Sequence, residues 1–150
     1  MYRLMTACVA TLTLVAVPAR TVRADEHEMH HAAHFMACAK ACAECQLQCD
    51  SCYKHCLMML TEGKKEHAKT VQSCVDCAEF CKTAASLSGR MSHHATFICD
   101  GCAKMCDECA MNCEKFPDDK HMAACAKSCR DCAKACREMM KRLAMEKDSK

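Results

Sequence analysis

Of the 19 cysteines in the chain, all but Cys8 lie between Cys38 and Cys136, in four runs whose members stand three or four residues apart. The first run holds Cys38, Cys42, Cys45, Cys49, Cys52 and Cys56; the second Cys74, Cys77 and Cys81; the third Cys99, Cys102, Cys106, Cys109 and Cys113; the fourth Cys125, Cys129, Cys132 and Cys136. Thiols at such spacing could serve as disulfides, redox centres or soft metal ligands, and the spacing itself discriminates among these uses. Residues three and four apart on a helix have Cβ atoms roughly 5–6 Å apart, whereas a disulfide wants about 3.8 Å. Bridges within a run are therefore strained, and only bridges between helices stay open. A zinc site needs four converging ligands, usually in isolated knuckles rather than a continuous stripe. Ferredoxin-type runs do not continue at this spacing through four segments, and a thioredoxin-type pair needs a strand-helix context that is missing.

Copper(I) suits the pattern better. It is soft and selects thiolate and thioether sulfur, and it accepts two or three ligands, so two thiolates at helical spacing can hold it. Each thiolate brings one negative charge and each ion one positive, so near-equal numbers neutralise a core that would be prohibitive to bury as bare charges. The expectation is on the order of one ion per core cysteine, with protons released as thiolates form. A thiol-rich redox or electron-transfer protein, or a zinc protein, is the alternative.

The elements that must position these thiols follow from the punctuation. Gly63 in TEGKKE, Gly89 in SLSGRMS and Pro117 in KFPDDK divide residues 33–146 into four segments of similar length. Between them the chain is rich in Ala, Lys, Glu, Met and Leu, all good helix formers; Gly101 is the exception, inside a segment still read as helical. A three-four alternation on a helix is a single stripe facing neighbouring helices. Lys40, Glu44, Asp50, Lys54, Lys104, Asp107, Lys127 and Arg130 fall on the outer faces and read as solvated surface. Short connections favour antiparallel neighbours, so the fold class is all-α, an up-down-up-down four-helix bundle with a cysteine-lined core. Folding each hairpin about residues 63, 89–90 and 117 predicts three all-cysteine layers: Cys45, Cys81, Cys99 and Cys136; Cys49, Cys77, Cys102 and Cys132; Cys52, Cys74, Cys106 and Cys129.

Histidine and methionine gather at the ends of these stripes. His31, His34 and Met36 precede the first cysteine, and the fold expectation sets them beside Met91, His94 and Met139 at one mouth, a candidate point of copper admission. Met59, His67 and Met122 fall at the opposite end, where they could close the tube or bind a last ion. Any one of these residues is more simply core packing or solvated surface.

Residues 1–24 read as an export signal: Arg3, an apolar run to Val17, then Val22-Arg23-Ala24. The run is shorter than the about 20 apolar residues that a membrane span needs. This predicts an exported, periplasmic protein with a His- and Met-rich segment at 25–32 and a bundle at 33–146. Lys plus Arg number 21 against 19 for Asp plus Glu, aromatics are 4% and tryptophan is absent. Such a chain lacks the basic patch and stacking aromatics that nucleic acid would require.

The repeated C-x-x-C and C-x-x-x-C stripes on all four segments, over residues 33 to about 146, resemble those of the bacterial copper storage proteins, cysteine-rich four-helix bundles. The resemblance implies many copper(I) ions along the bundle interior, held mostly by pairs of cysteine thiolates, with Met and His near one open end. It further implies association into homo-oligomers, often tetramers; soft ligands around the metal leave a catalytic role without support, so no enzymatic activity is expected. The family includes cytosolic and exported forms; exported relatives can carry twin-arginine signals, whereas this N-terminus has only Arg3 before its apolar run.

Overall fold

The computed structural model describes residues 19–148, with side chains described over residues 29–145. Most of the expected leader, residues 1–18, lies outside the described residues. Four helices carry the chain: α1 (Ala19–Thr61), α2 (Ala68–Gly89), α3 (Ala95–Cys113) and α4 (Lys120–Asp148), with a 3-10 turn at Lys65–His67 leading into α2. Helix α1 packs on α2 and α4, and α3 packs on the same two, the square arrangement of an up-down-up-down bundle. Residues 25–32, set apart in the sequence reading, are the continuous early turns of α1. No helix among the described residues is long and apolar enough to cross a membrane.

The three connections show why the helices stop where they do. After α1, Gly63 takes a φ of 84°, and the N–H groups of Gly63 and Lys64 donate to the carbonyls of Leu60 and Met59, both at 3.0 Å. This is the glycine-terminated closure of a helix end. After α2 the same pair of bonds recurs two residues later than the glycine would place it. Met91 N–H donates to Ser88 and Ser92 N–H to Leu87, both at 2.9 Å, and the left-handed residue is Met91, φ 50°, not Gly89. A side chain in that conformation is strained by roughly 1–2 kcal/mol. Met91→Gly should therefore raise the stability of the metal-free protein by roughly 0.5–1 kcal/mol, the strain relieved less the extra chain entropy of glycine, as read by chemical denaturation. Before α4, Asp119 Oδ1 accepts from the N–H groups of His121 at 2.9 Å and Met122 at 3.2 Å, the work of an N-capping carboxylate.

The displaced second turn corrects the expected layering. The pairing of α1 with α2 and of α3 with α4 is as read from the sequence, but α3 and α4 together are slid along α1 and α2 by between half a heptad and one heptad. Cys99 and Cys136 lie beside Cys38, and Cys106 and Cys129 beside Cys45. The hairpin is centred in the connector 90–94 rather than at Gly89, and that offset slides the second hairpin along the first.

Few large side chains fill the interior. Phe35, Met122 and Met139 join the cysteines and a set of buried alanines. Gly101 is helical, and a Cβ there would meet the Phe80 ring at 2.9 Å, so its lack of a side chain is what lets that ring lie across α3. Beside the core, buried Asn112 Nδ2 donates to Ser73 Oγ at 2.6 Å and ties α3 to α2. Arg130 pairs with Asp107 and Glu114, and Arg137 with Asp107. These partly exposed charges contribute modestly, since surface ion pairs are worth about 0–1 kcal/mol.

Candidate metal centre

All the cysteines from Cys38 to Cys136 are unbridged and buried, none more than 1% exposed. The cause is the stripe: each helix turns its three-four row to the axis, and the small alanines beside it let the four helices close in. Across α1 and α4, Cys132 Sγ approaches Cys42 to 3.5 Å, Cys42 meets Cys136 at 3.6 Å, Cys45 meets Cys129 at 3.7 Å and Cys49 meets Cys129 at 3.8 Å. Across α2 and α3, Cys77 lies 3.6 Å from Cys106, Cys81 3.7 Å from Cys102, and Cys74 3.8 Å from Cys109. Diagonal contacts close the square: Cys38 to Cys99 at 3.6 Å, Cys45 to Cys106 at 3.9 Å, Cys81 to Cys132 at 3.9 Å. Sulfurs about 4 Å apart are what one ion with metal–sulfur bonds of roughly 2.3 Å can span, while a disulfide needs about 2.05 Å.

Several four-thiol groups converge within 4.8 Å, among them Cys42, Cys102, Cys132 and Cys136; Cys45, Cys77, Cys81 and Cys106; and Cys52, Cys74, Cys113 and Cys125. The groups share members. Cys45 and Cys77 belong to a further set with Cys49 and Cys129, and those two join Cys109 and Cys125 in another. The donors therefore form one connected column rather than separate pockets.

Thiol hydrogen bonds distribute the protons of this column unevenly. Neighbouring thiols, and then burial, push Cys42, Cys49, Cys74 and Cys129 well above the usual thiol range, and Cys81 and Cys106 rise with them, Cys102 being the largest cause in both. Hydrogen bonds donated by their neighbours pull Cys45, Cys102, Cys109 and Cys125 down. Cys52 is drawn to about 5, chiefly by Cys113. Bare thiolates packed this closely would be too costly to bury, so these sulfurs ionise together only where a cation takes the place of their protons.

The two ends differ. At the end of the bundle where α3 begins, Phe35 and Ala95 are buried, and the Ser88 hydroxyl lies 3.7 Å from Cys38 Sγ, 3.6 Å from Cys99 Sγ and 3.8 Å from Met139 Sδ. Of the residues expected at this mouth, only Met139 is drawn into the core. Met36 and Met91 are 55% and 50% exposed, His94 is exposed, His31 packs on Phe35 with ring centres 5.1 Å apart, and His34 sits beside Glu138, Lys141 and Arg142.

At the other end Met122 is fully buried and its Sδ is 3.5 Å from both Cys52 and Cys56. His67 is 4% exposed, stacks on Phe116 at 4.1 Å, and leaves its Nδ1 without a partner. Met59 is half-buried, its sulfur accepting from Lys64 Nζ at 3.3 Å. Two further imidazoles gather at this end beside the residues expected there. His121 stacks on His55 at 4.6 Å, His55 stands edge-on to His67 at 6.4 Å, and His55 Nε2 lies 2.6 Å from Asp119 Oδ2. Burial pulls the Asp119 carboxyl up, but the His55 ring and the two capped amides outweigh it and hold the group below its ordinary value. The available signal was position: His55 and His121 directly precede Cys56 and Met122.

A family model described as copper storage protein matches residues 30–141. A search among curated proteins gives no match. Among solved structures, a Cu(I)-bound copper storage protein, BsCsp3, is 32% identical over 71% of this chain and 98% of its own, with a TM-score of 0.65. Metal-free Csp3, copper storage protein 3, from Bacillus subtilis is 33% identical over 69% of this chain and 96% of its own, TM-score 0.61. A cytosolic copper storage protein from Streptomyces lividans holding five coppers is 25% identical over 74% of this chain and 95% of its own, TM-score 0.68. The last corrects the expectation of an exported, periplasmic protein, since that structural neighbour is described as cytosolic. The apolar run and Arg3 are a weak pattern, and a reducing compartment is where unbridged thiols persist. With a family model matched across all four helices and a Cu(I)-bound relative covering nearly its whole length, the chain belongs to the copper storage protein family.

Proposed function

We propose that the protein is a non-enzymatic store of Cu(I), its ions held by the thiolates of Cys38, Cys42, Cys45, Cys49, Cys52, Cys56, Cys74, Cys77, Cys81, Cys99, Cys102, Cys106, Cys109, Cys113, Cys125, Cys129, Cys132 and Cys136. The observation that carries this is the connected column of buried sulfurs, with spacings that suit a soft two- or three-coordinate ion. Soft donors surround every position, which favours holding the cuprous state over reacting at it. Copper reaches the column from the end of His67. In support, imidazoles lead inward there from exposed His121 through His55, whereas Phe35, Ala95, Ser88 and Met139 fill the opposite end. Exposed Leu47, Phe97 and Met111 offer apolar surface for assembly into homo-oligomers.

Titrating the reduced protein with Cu(I) against a chromophoric chelator tests the reading. The expected saturation is on the order of one equivalent per core thiol, in a colourless product. Saturation at four or fewer equivalents defeats storage and returns the protein to a zinc-like or redox role.

A further inference from the structure

At the His67 end the column finishes on a thioether. Stepping back three residues from Cys125 along α4, the stripe lands on Met122, so methionine stands where the pattern would place another thiol. Its Sδ is 3.5 Å from Cys52 Sγ and from Cys56 Sγ, and those thiols are 4.0 Å apart. The point equidistant from the three sulfurs lies about 2.1 Å from each, close to a metal–sulfur bond of ~2.3 Å. The triangle is thus already the size of a three-coordinate Cu(I) site. At the opposite end the corresponding step from Cys136 lands on Met139, whose sulfur meets the Ser88 hydroxyl instead.

A thioether differs from a thiolate in ways that bear on exchange. It is neutral, it has no proton to give up on binding or to recover on release, and it does not bring the charge that holds a cation in the thiolate column. An ion on two thiolates and one thioether is held by one fewer negative charge than an ion on three thiolates. The site is also close to solvent. Asp119 caps the Met122 amide and meets His55, which stacks on exposed His121. We infer that Cys52, Cys56 and Met122 form the exchange site of the store, a two-thiolate, one-thioether Cu(I) position that is the last filled and the first surrendered. The inference rests on the Cu(I) storage reading and adds to it where traffic between column and solvent occurs.

Selenium substitution tests it directly, because Met122 would become a selenium donor. Full-length selenomethionine protein, saturated with Cu(I), should show a copper neighbour at bonding distance in selenium-edge X-ray absorption. That neighbour should vanish in Met122→Leu, a swap that conserves volume, and persist in Met139→Leu. A copper neighbour missing from the unsubstituted protein, or surviving in Met122→Leu, overturns the site. For exchange, Met122→Cys should slow removal of the first Cu(I) by a chromophoric chelator on the order of tenfold, as changes around a metal commonly do; an unchanged rate overturns the exchange role. Full copper capacity without copper–selenium contact sinks only this inference, whereas saturation at four or fewer equivalents sinks the storage reading beneath it.

Discussion

Loading the reduced protein with Cu(I) is expected to raise its melting temperature by roughly 20 °C or more. The metal-free bundle starts from a modest base, with Phe35, Met122 and Met139 the only large apolar side chains buried among the described residues. Cysteine and alanine supply most of the rest, and each buries little area to set against the entropy of ordering the chain. Ions that bind only the folded arrangement add stability by mass action, about 4 kcal/mol for each independent site at a thousandfold excess over its dissociation constant. The thiol groups draw ligands from three or four helices at once, so unfolding must break metal–sulfur bonds before any helix can leave. Scanning calorimetry of the metal-free and loaded forms, without oxygen and with reductant present, checks this. Equal melting temperatures would mean that the metal does not sit between the helices.

Raising the pH above about 9 should unfold the metal-free protein and spare the loaded one. Cys42, Cys49, Cys74, Cys81, Cys106 and Cys129 are pushed above the ordinary thiol range in the fold, while an unfolded thiol titrates near about 8.5. Below that value both states keep the proton and the stabilisation is fully present. Above it the unfolded chain releases protons that the folded chain retains, so stability falls as pH climbs toward the folded values. Each such thiol costs up to about 1.4 kcal/mol per pH unit, and the effects of several accumulate. In the loaded protein the thiols have already lost their protons to the metal, which removes the linkage. Denaturation midpoints of both forms between pH 7 and pH 11 decide the matter; parallel profiles would contradict it.

How legible this was in the sequence varies from element to element. The four helices and the inward turn of every thiol from Cys38 to Cys136 were readable, because an apolar stripe at three-four spacing admits one burial. The closure at Gly63 was readable for the same local reason. The offset of α3 and α4 was not, since nothing in SLSGRMS says that Met91 rather than Gly89 takes the left-handed conformation. That choice belongs to the packing of two hairpins, with Asn112 meeting Ser73 and the Phe80 ring needing the space over Gly101. Composition drew attention to the histidines and methionines before the first cysteine. The structure instead leaves Met36 and Met91 exposed and gathers His55, His67 and His121 at the other end, through a connection to Asp119 that spans 64 residues of chain.

The sharing of Cys45 and Cys77 between two thiol groups, and of Cys49 and Cys129 between two, gives the interior the character of a one-dimensional lattice with nearest-neighbour coupling, the condition that governs stacked repeats. An ion that orders one group has already fixed half the ligands of the next, so occupancy spreads from an existing boundary more readily than it starts afresh. A half-filled molecule then holds one contiguous block of metal with a movable front, and its content changes by advance or retreat of that front rather than by scattered gains and losses along the axis.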